Sequence, residues 1–238
     1  NKLNGGRLME LVDKLSNRQY IDGEWVESSN KNTRDIINPY NQETIFTVAE
    51  GTKEDVERAI LAARRSFEDG EWSLETSEVR GKKVRAVADK IKENREELAK
   101  LETLDTGKTL EESYADMDDI HNVFMYFAGL ADKDGGEIIN SPIPNAESKV
   151  VKEPVGVVTQ ITPWNYPLLQ ASWKIAPALA TGCSLVMKPS EITPLTTIRV
   201  FELMEEVGFP KGTINLVLGA GSEVGDVMSG HEEVDLVS

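Results

Sequence analysis

Cysteine and histidine are scarce in this 238-residue chain. There is one cysteine, Cys183, and the two histidines, His121 and His231, stand alone. A single thiol excludes an internal disulfide and a cysteine metal site, and it fits a reducing compartment. The isolated histidines support neither a metal site nor a catalytic triad.

The chain also lacks a long apolar run and an excess of positive charge. No apolar run approaches membrane-spanning length, and residues 1–11 are too polar for a signal peptide. The 41 acidic residues outnumber the 26 basic ones, which gives a net charge of -15. This field repels phosphate backbones and anionic membranes, so we expect a cytoplasmic protein without nucleic-acid or membrane partners.

Short apolar runs alternate with helical patterns in the second half of the chain. With 39% hydrophobic and 28% charged residues, the composition is that of a globular protein with one large domain or two. Strands that alternate with helices predict an α/β fold with a parallel sheet, whose ligands bind beyond the carboxyl ends of the strands. The predicted strands are 155–161, 184–188, 214–218 and a run that begins at Val234, and the loops of interest are 162–165, 188–191 and 219–225.

Hairpin and helix signals fill the first half. Asp22-Gly23 and residues 38–41 are turn signals between short strands. Three amphipathic helices follow, and we expect them to cover the sheet. The first runs from a capping box at Thr52 and Asp55 to Gly70, the second carries residues 84–101 and runs toward Gly107, and the third covers Met117 to Ala131.

Residues 137–153 differ in character from their surroundings. Prolines occur among alternating apolar and polar residues, which predicts an edge hairpin that reaches away from the core. This hairpin is a candidate contact between copies of the chain.

Two polar groups stand at predicted strand ends, and each has two interpretations. Asn165 could be the N-cap of the following helix, with Pro167 in the first turn, or its amide could stabilise an oxyanion. Lys188 and Glu191 could be solvated charges, or they could hold the hydroxyls of an adenosine ribose.

Two further signals are also ambiguous, and a third has one interpretation. The glycines of residues 219–225 are either a helix-capping turn or a cofactor-binding turn. Tyr166 and Trp173, seven residues apart, are either core residues or pocket walls that hold a quaternary ammonium group by cation-π attraction. Cys183 begins a buried strand and has no cationic neighbour in sequence, so we expect it to be inert.

Several motifs together resemble the NAD(P)-dependent aldehyde dehydrogenase family. The resemblance extends from about Tyr20 to Ser238, and the branch that it resembles most oxidises betaine aldehyde to the osmoprotectant glycine betaine. The motifs are Ile37-Asn-Pro39, Leu101-Glu-Thr-Leu-Asp-Thr-Gly-Lys108, Thr162-Pro-Trp-Asn-Tyr-Pro167, the segment from Trp173 to Gly182, Lys188-Pro-Ser-Glu191 and Gly219-Ala-Gly221.

The resemblance implies a fold and an assembly. The fold would be α/β, with a Rossmann-like parallel sheet flanked by helices and a protruding oligomerisation hairpin. Residues 16–137 and 155–238 would form an NAD-binding domain, incomplete in this chain. Residues 138–154 would be the oligomerisation hairpin of a homodimer or homotetramer.

The resemblance also implies roles for individual residues. The cofactor would be NAD, with NADP as the alternative, and a potassium ion could be bound. The catalytic residues would be Asn165, as oxyanion donor, and Lys174, in a charge relay. The cofactor site would contain Thr162, Pro163, Trp164, Lys188, Pro189, Ser190, Glu191 and Gly221. The substrate would meet Tyr166 and Trp173, and potassium would lie near Ile36, Ile37, Asp105 and Ile192.

The sequence departs from the family pattern in the residues that carry out the chemistry. Family members continue past Ser238 into a general-base glutamate and a separate domain with the cysteine nucleophile. Cys183 is in the wrong place to supply the thiolate that forms the thiohemiacetal. We therefore expect these 238 residues to be inactive alone. The alternatives are a non-catalytic NAD-binding or assembly module, or a parent enzyme for another aldehyde.

Overall fold

The computed structural model describes the backbone of residues 5–238 and the side chains of residues 9–238. Residues 1–4, part of the segment judged too polar for a signal peptide, lie outside the described residues. The elements, in chain order, are α1 Gly5–Val12, β1 Gln19–Ile21, β2 Glu24–Val26, β3 Thr33–Ile37, β4 Thr44–Ala49, α2 Lys53–Asp69, α3 Ser77–Glu93, α4 Arg95–Thr106, α5 Leu110–Leu130, β5 Glu137–Ile139, β6 Ser148–Val150, β7 Val157–Ile161, α6 Pro167–Thr181, β8 Ser184–Lys188, α7 Leu195–Val207, β9 Ile214–Leu216, α8 Gly221–Gly230 and β10 Leu236–Val237.

A six-stranded sheet forms the centre of the molecule, in the order β10-β7-β8-β9-β1-β2. The four strands from β10 to β9 are parallel, which confirms the prediction for the second half of the chain. The first predicted hairpin is also present and turns through Asp22 and Gly23, both with positive φ. The sequence did not predict that β1 would pair antiparallel with β9 and so extend the sheet.

Side chains of the central strands alternate between two apolar clusters. Val186 packs in a cluster with Val56 and Ile60 of α2, whereas Leu185 and Met187 belong to the larger cluster on the opposite face. This alternation follows from the period of two in a strand, and it explains why the runs are apolar throughout. Among the helices of residues 5–238, none has the length and apolar character that crossing a bilayer requires.

The predicted layering of the first three helices is only partly correct. Helix α2 lies on the sheet, against β7, β8 and β9, whereas α3, α4 and α5 pack against α6 and α7 as a further layer. The second predicted helix is in fact two, α3 and α4. The chain leaves helical geometry at Asn94, whose side-chain amide donates to the Lys90 carbonyl oxygen at 2.8 Å and so ends α3.

Local signals at α2 and at the edge hairpin are confirmed. Thr52 and Asp55 form the capping box, and Gly70 ends α2 with a φ of 80°. Strands β5 and β6 pair with each other in a sheet of their own, and most of their side chains are exposed. The hairpin therefore protrudes from the layered body.

Candidate functional site

Three loops meet at the carboxyl ends of β7, β8 and β9. The Thr162 amide donates to the Lys188 carbonyl oxygen at 3.2 Å, and the Thr193 hydroxyl donates to the Trp164 carbonyl oxygen at 3.4 Å. Lys188 reaches the third loop through the Gly219 carbonyl oxygen, 3.0 Å from Nζ. The structure therefore brings together the three segments that the sequence singled out.

Lys188 is a buried cation that connects these loops. Its side chain is 2% exposed, and Nζ also donates to the Pro189 carbonyl oxygen at 2.8 Å and lies 3.6 Å from Glu191 Oε2. Burial lowers the pKa of Lys188, although Glu191 opposes the shift. The alternative of two solvated charges is wrong for Lys188, because a buried ammonium needs these partners.

Glu191 is the more accessible member of the pair, with about a third of its side chain exposed. Partial burial would raise the pKa of this carboxyl. Backbone amides, including that of Gly221, together with Lys188 and Arg34 outweigh burial and lower the pKa below its ordinary value. Glu191 is thus an ionised acceptor at the mouth of the site.

The glycine turn is held by a close approach of the chain to itself. Gly219 has a φ of 138°, and a Cβ atom there would lie 2.9 Å from the Gly51 carbonyl oxygen. The Gly51 amide donates to the Leu218 carbonyl oxygen at 2.8 Å. By contrast, a Cβ atom at Gly221 would meet no atom within 4 Å. Gly221 begins α8 beside open space, so the turn both starts a helix and leaves room for a ligand.

Arg34 and Glu50 also contact this turn, and the sequence did not point to them. The Arg34 guanidinium binds both oxygens of Glu50, at 2.6 and 2.7 Å, and Glu50 Oε1 accepts from the Ala220 amide at 3.3 Å. A polar cavity of about 570 Å³ adjoins this pair and is lined by Lys31, Asn32, Thr33, Arg34 and Glu50. Glu50 is 170 residues from Ala220, so no local sequence signal could indicate that this pair contacts the glycine turn.

Asn165 lies in the loop between β7 and α6 and is exposed. The N-cap of α6 is Tyr166, and Pro167 is the first helical residue, so the capping interpretation of Asn165 is wrong. The Asn165 side chain forms no hydrogen bond with residues 9–238, which leaves both N–H donors free. An amide of this kind can stabilise an oxyanion.

The remaining predicted cofactor residues differ in exposure. Thr162 is buried, and its hydroxyl has no hydrogen-bond partner among residues 9–238. Trp164 is exposed, whereas Pro189 and Ser190 of the second loop are buried. Pro163 is half-buried. Within this set, the Thr162 hydroxyl lacks a hydrogen-bond partner and Trp164 is exposed, so these two residues have groups available to a ligand.

Lys174 lies on α6, half-buried behind the loop of Asn165. Its ammonium donates to the Ser238 hydroxyl at 3.1 Å, and its carbonyl oxygen accepts from the Gln160 side chain at 2.8 Å. Burial lowers the pKa of Lys174. A lysine whose pKa is lowered exchanges its proton more readily near neutral pH.

Tyr166 and Trp173 do not pack in the core. Their exposed fractions are 36% and 53%, so the core interpretation is wrong. Trp173 borders an apolar groove of about 460 Å³ between α5 and α6, and the other lining residues are Asp119, Asn122, Val123, Tyr126, Phe127 and Leu169. Tyr166 is the N-cap of α6, three residues before Leu169 of this groove. The groove combines aromatic rings with a carboxylate, which suits a cationic organic group.

The residues expected near potassium lie in three segments that meet. Asp105 Oδ2 accepts from the Leu195 amide at 2.9 Å, which brings α4 within three residues of Ile192. A Cβ atom at Gly107 would lie 2.9 Å from Pro39, two residues after Ile37. Ile36 is buried, while Ile37 and Ile192 are exposed. Burial raises the pKa of Asp105 well above its ordinary value.

Cys183 is buried at the start of β8, with 3% exposure. Its sulfur lies 3.6 Å from the Thr181 hydroxyl and belongs to the large apolar cluster, while the Arg80 guanidinium, which the sequence did not indicate, lies close enough to interact with it electrostatically. The prediction of a structural thiol is consistent with this burial.

Comparisons with known proteins agree with these observations. The model of the aldehyde dehydrogenase family matches residues 25–238. Betaine aldehyde dehydrogenase of Bacillus subtilis is 65% identical over 224 residues, and aminoaldehyde dehydrogenase 1 of Pisum sativum is 46% identical over 232 residues. Each match covers 94% of this chain and 46% of the relative.

Solved structures show the same similarity. The crystal structure of betaine aldehyde dehydrogenase from Staphylococcus aureus in complex with NAD+ is 88% identical in sequence and has a TM-score of 0.97. The match covers 98% of this chain and 46% of that one. The chain thus spans about half the length of the proteins that it matches.

Proposed function

Since the chain belongs to the aldehyde dehydrogenase family, we propose that it is the cofactor-binding part of an NAD-dependent enzyme that oxidises betaine aldehyde to glycine betaine. We call the polypeptide of the relatives' length that carries these residues the whole enzyme. Residues 16–137 and 155–238 would form the NAD-binding domain. Residues 138–154 would join copies of the enzyme into a dimer or tetramer.

The junction of Lys188, Glu191 and the glycine turn carries the proposal. The Lys188 ammonium has three N–H donors, and the Pro189 and Gly219 carbonyl oxygens use two of them. The third donor and the Glu191 carboxylate can bind the two hydroxyls of an adenosine ribose. Gly221 would lie along the cofactor, since the position of a Cβ atom there faces open space.

The charge of Glu191 favours NAD over NADP. The lowered pKa keeps this carboxylate ionised near neutral pH. A carboxylate that accepts from the ribose 2′-hydroxyl repels the 2′-phosphate of NADP. Thr162, Pro163 and Trp164 would line the same site, with Pro189 and Ser190 supporting it from below.

Asn165 and Lys174 would act in the chemistry of the whole enzyme. NAD, when bound, accepts the hydride that leaves the aldehyde carbon. The free Asn165 amide would donate to the oxygen on that carbon, a contact worth about 3 kcal/mol in comparable sites. Lys174 would pass on a proton, in keeping with its lowered pKa.

Tyr166 and Trp173 would bind the trimethylammonium group of the substrate. Both rings are partly exposed, and Asp119 adds a negative charge to the groove at Trp173. A ring and a quaternary ammonium group attract each other by about 0.5 to 2 kcal/mol. The Pisum sativum relative is named for aminoaldehydes, so an aminoaldehyde is the alternative substrate.

A potassium ion fits the segments around Asp105. Oxygen Oδ1 of this buried carboxyl has no hydrogen-bond partner among residues 9–238, so it would be able to coordinate a monovalent cation. No group of three acidic, cysteine or histidine side chains in that part of the chain could hold a metal ion, so backbone oxygens of Ile36, Ile37 and Ile192 would complete the shell. The ion would neutralise the charge of the Asp105 carboxylate and would link the three segments by coordination.

The second candidate is a non-catalytic module that binds NAD or other copies of the chain. Burial of Cys183 favours it for these 238 residues in isolation, because an enclosed thiol cannot attack an aldehyde. The two candidates share the cofactor site and differ only in turnover.

Calorimetry and kinetics separate these possibilities. We expect the 238-residue chain to bind NAD, to lose that binding in Glu191→Ala, and to show no turnover. We expect the whole enzyme to reduce NAD with betaine aldehyde at a higher kcat/KM than with acetaldehyde. If the wild-type 238-residue chain does not bind NAD, the proposed cofactor site is wrong. If the whole enzyme has the same kcat/KM for both aldehydes, the substrate assignment is wrong.

A further inference from the structure

The ring of Tyr166 is occupied on one face by a cation from within the chain. The Lys108 ammonium lies 4.1 Å from the centre of the ring. Lys108 directly follows Gly107, which ends α4 with a φ of 78°. A lysine at this distance from an aromatic face is held there by the negative potential of the ring.

Two carboxylates fix the arrangement of this ring. Asp116 Oδ2 lies 2.6 Å from Lys108 Nζ, and both side chains are less than a tenth exposed. The Tyr166 hydroxyl donates to Glu112 Oε1 at 3.1 Å. One contact acts on the face of the ring and the other at its hydroxyl, so together they define the plane in which the ring lies.

We propose that Lys108 is a positioning residue for substrate recognition, which fixes the Tyr166 ring so that its opposite face receives the quaternary ammonium group. This role rests on the proposed function, because it takes Tyr166 to be a wall of the substrate site. Tyr166 is 36% exposed while Lys108 is in place, so the residue as a whole remains partly accessible.

The nearby charges make a second cation acceptable at this ring. One positive group, Lys108, is accompanied by two negative groups, Asp116 and Glu112. The local charge is therefore negative, and the ammonium of the substrate is attracted rather than repelled. Lys108 and Tyr166 lie on separate elements, so no sequence spacing indicated the pair.

Steady-state kinetics of the whole enzyme with two aldehydes test the proposal. Betaine aldehyde carries the cation, and tert-butylacetaldehyde has the same shape with carbon in place of nitrogen. We expect Lys108→Met to raise the KM for betaine aldehyde about fivefold, the size of one cation-π contact, with little change in kcat. The KM for the neutral aldehyde should change less than about twofold, and Lys108→Arg should restore the wild-type ratio of the two KM values.

The controls separate positioning from stability. Lys82→Met removes an exposed lysine that pairs with Glu78 on α3, and it should leave both KM values unchanged. Lys108→Met leaves Asp116 buried without its partner, so the double variant Lys108→Met/Asp116→Asn is measured as well. We expect the double variant to show the same ratio of the two KM values as Lys108→Met.

The outcomes distinguish this proposal from the proposed function. Equal changes in both KM values, or no change, overturn the role of Lys108 and leave the substrate assignment intact. A wild-type enzyme that does not prefer betaine aldehyde over its neutral isostere overturns the substrate assignment, and the role of Lys108 with it.

Discussion

Glu102 is a carboxyl whose pKa is strongly raised. It is fully buried on α4, where Oε2 accepts from the Thr196 hydroxyl at 3.2 Å and Oε1 has no partner among residues 9–238. Burial raises the pKa of Glu102 to about 8, although Lys108 lowers it in part. The carboxyl is therefore largely protonated at neutral pH, which avoids a buried charge.

We predict that Glu102→Gln changes how stability depends on pH. The ordinary pKa of 4.5 applies to the unfolded chain, so unfolding releases a proton at any pH between about 5 and 8. The contribution of Glu102 to the free energy of unfolding is complete below pH 4.5 and is lost as the pH rises toward 8. Glutamine does not titrate, so the Glu102→Gln variant does not lose this contribution to stability as the pH rises.

Urea unfolding of both proteins at several pH values between about 5 and 8 measures the effect. The stability difference should move in favour of Glu102→Gln as the pH rises. Parallel stability curves for the two proteins would show that the pKa of Glu102 is not raised.

The loop from β4 to α2 packs closely against the rest of the chain. A Cβ atom at Gly51 would lie 2.0 Å from the Leu218 carbonyl oxygen and 2.4 Å from Gln19 Oε1. The φ of Gly51 is not positive, so the requirement is for space. This loop holds the end of β9, and through it the glycine turn, in place.

We expect Gly51→Ala to lower the free energy of unfolding by about 2 kcal/mol, because backbone must move to admit the methyl group. NAD affinity should fall with it, since Gly219 and Ala220 depend on the same contacts. Gly225→Ala is the matched control: it lies inside α8 with no atom within 4 Å, and it should raise stability by up to about 1 kcal/mol. Comparable stabilities for the two variants would contradict the close approach.

The molecule as a whole combines strong negative charge with exposed apolar side chains. The net charge of -15 opposes association. The β5–β6 hairpin and the segment after it nevertheless expose Ile138 to 81% and Val151 to 72%. Apolar residues on a protruding two-stranded sheet favour contact with another copy, which is the role proposed for residues 138–154.

We predict that Ile138→Asp/Val151→Asp weakens self-association of the 238-residue chain. Light scattering over a range of protein concentrations should show a smaller mass for this variant than for the wild type. The control is Leu74→Asp, which adds one charge at a residue that is 84% exposed elsewhere on the surface and should leave the mass unchanged. A wild-type chain that is monomeric throughout would count against the hairpin as an association surface.

The amino-acid sequence by itself determined most of the elements and several of their ends. The Thr52 and Asp55 capping box, the Asp22-Gly23 turn and the alternation of apolar runs with helical patterns all act between near neighbours. Interactions over a few residues can be recognised from spacing alone. The parallel sheet followed from these elements, and so did the prediction that the loops after its strands would meet.

Only the tertiary structure decided which distant residues meet and which side chains are buried. Packing alone could reveal the outer layer of α3, α4 and α5 and the burial of Lys188. The contact of Glu50 with Ala220 and that of Lys108 with Tyr166 likewise join segments far apart in the chain. The physical reason is that burial and long-range electrostatics depend on how the layers stack, and no local pattern of residues encodes that arrangement.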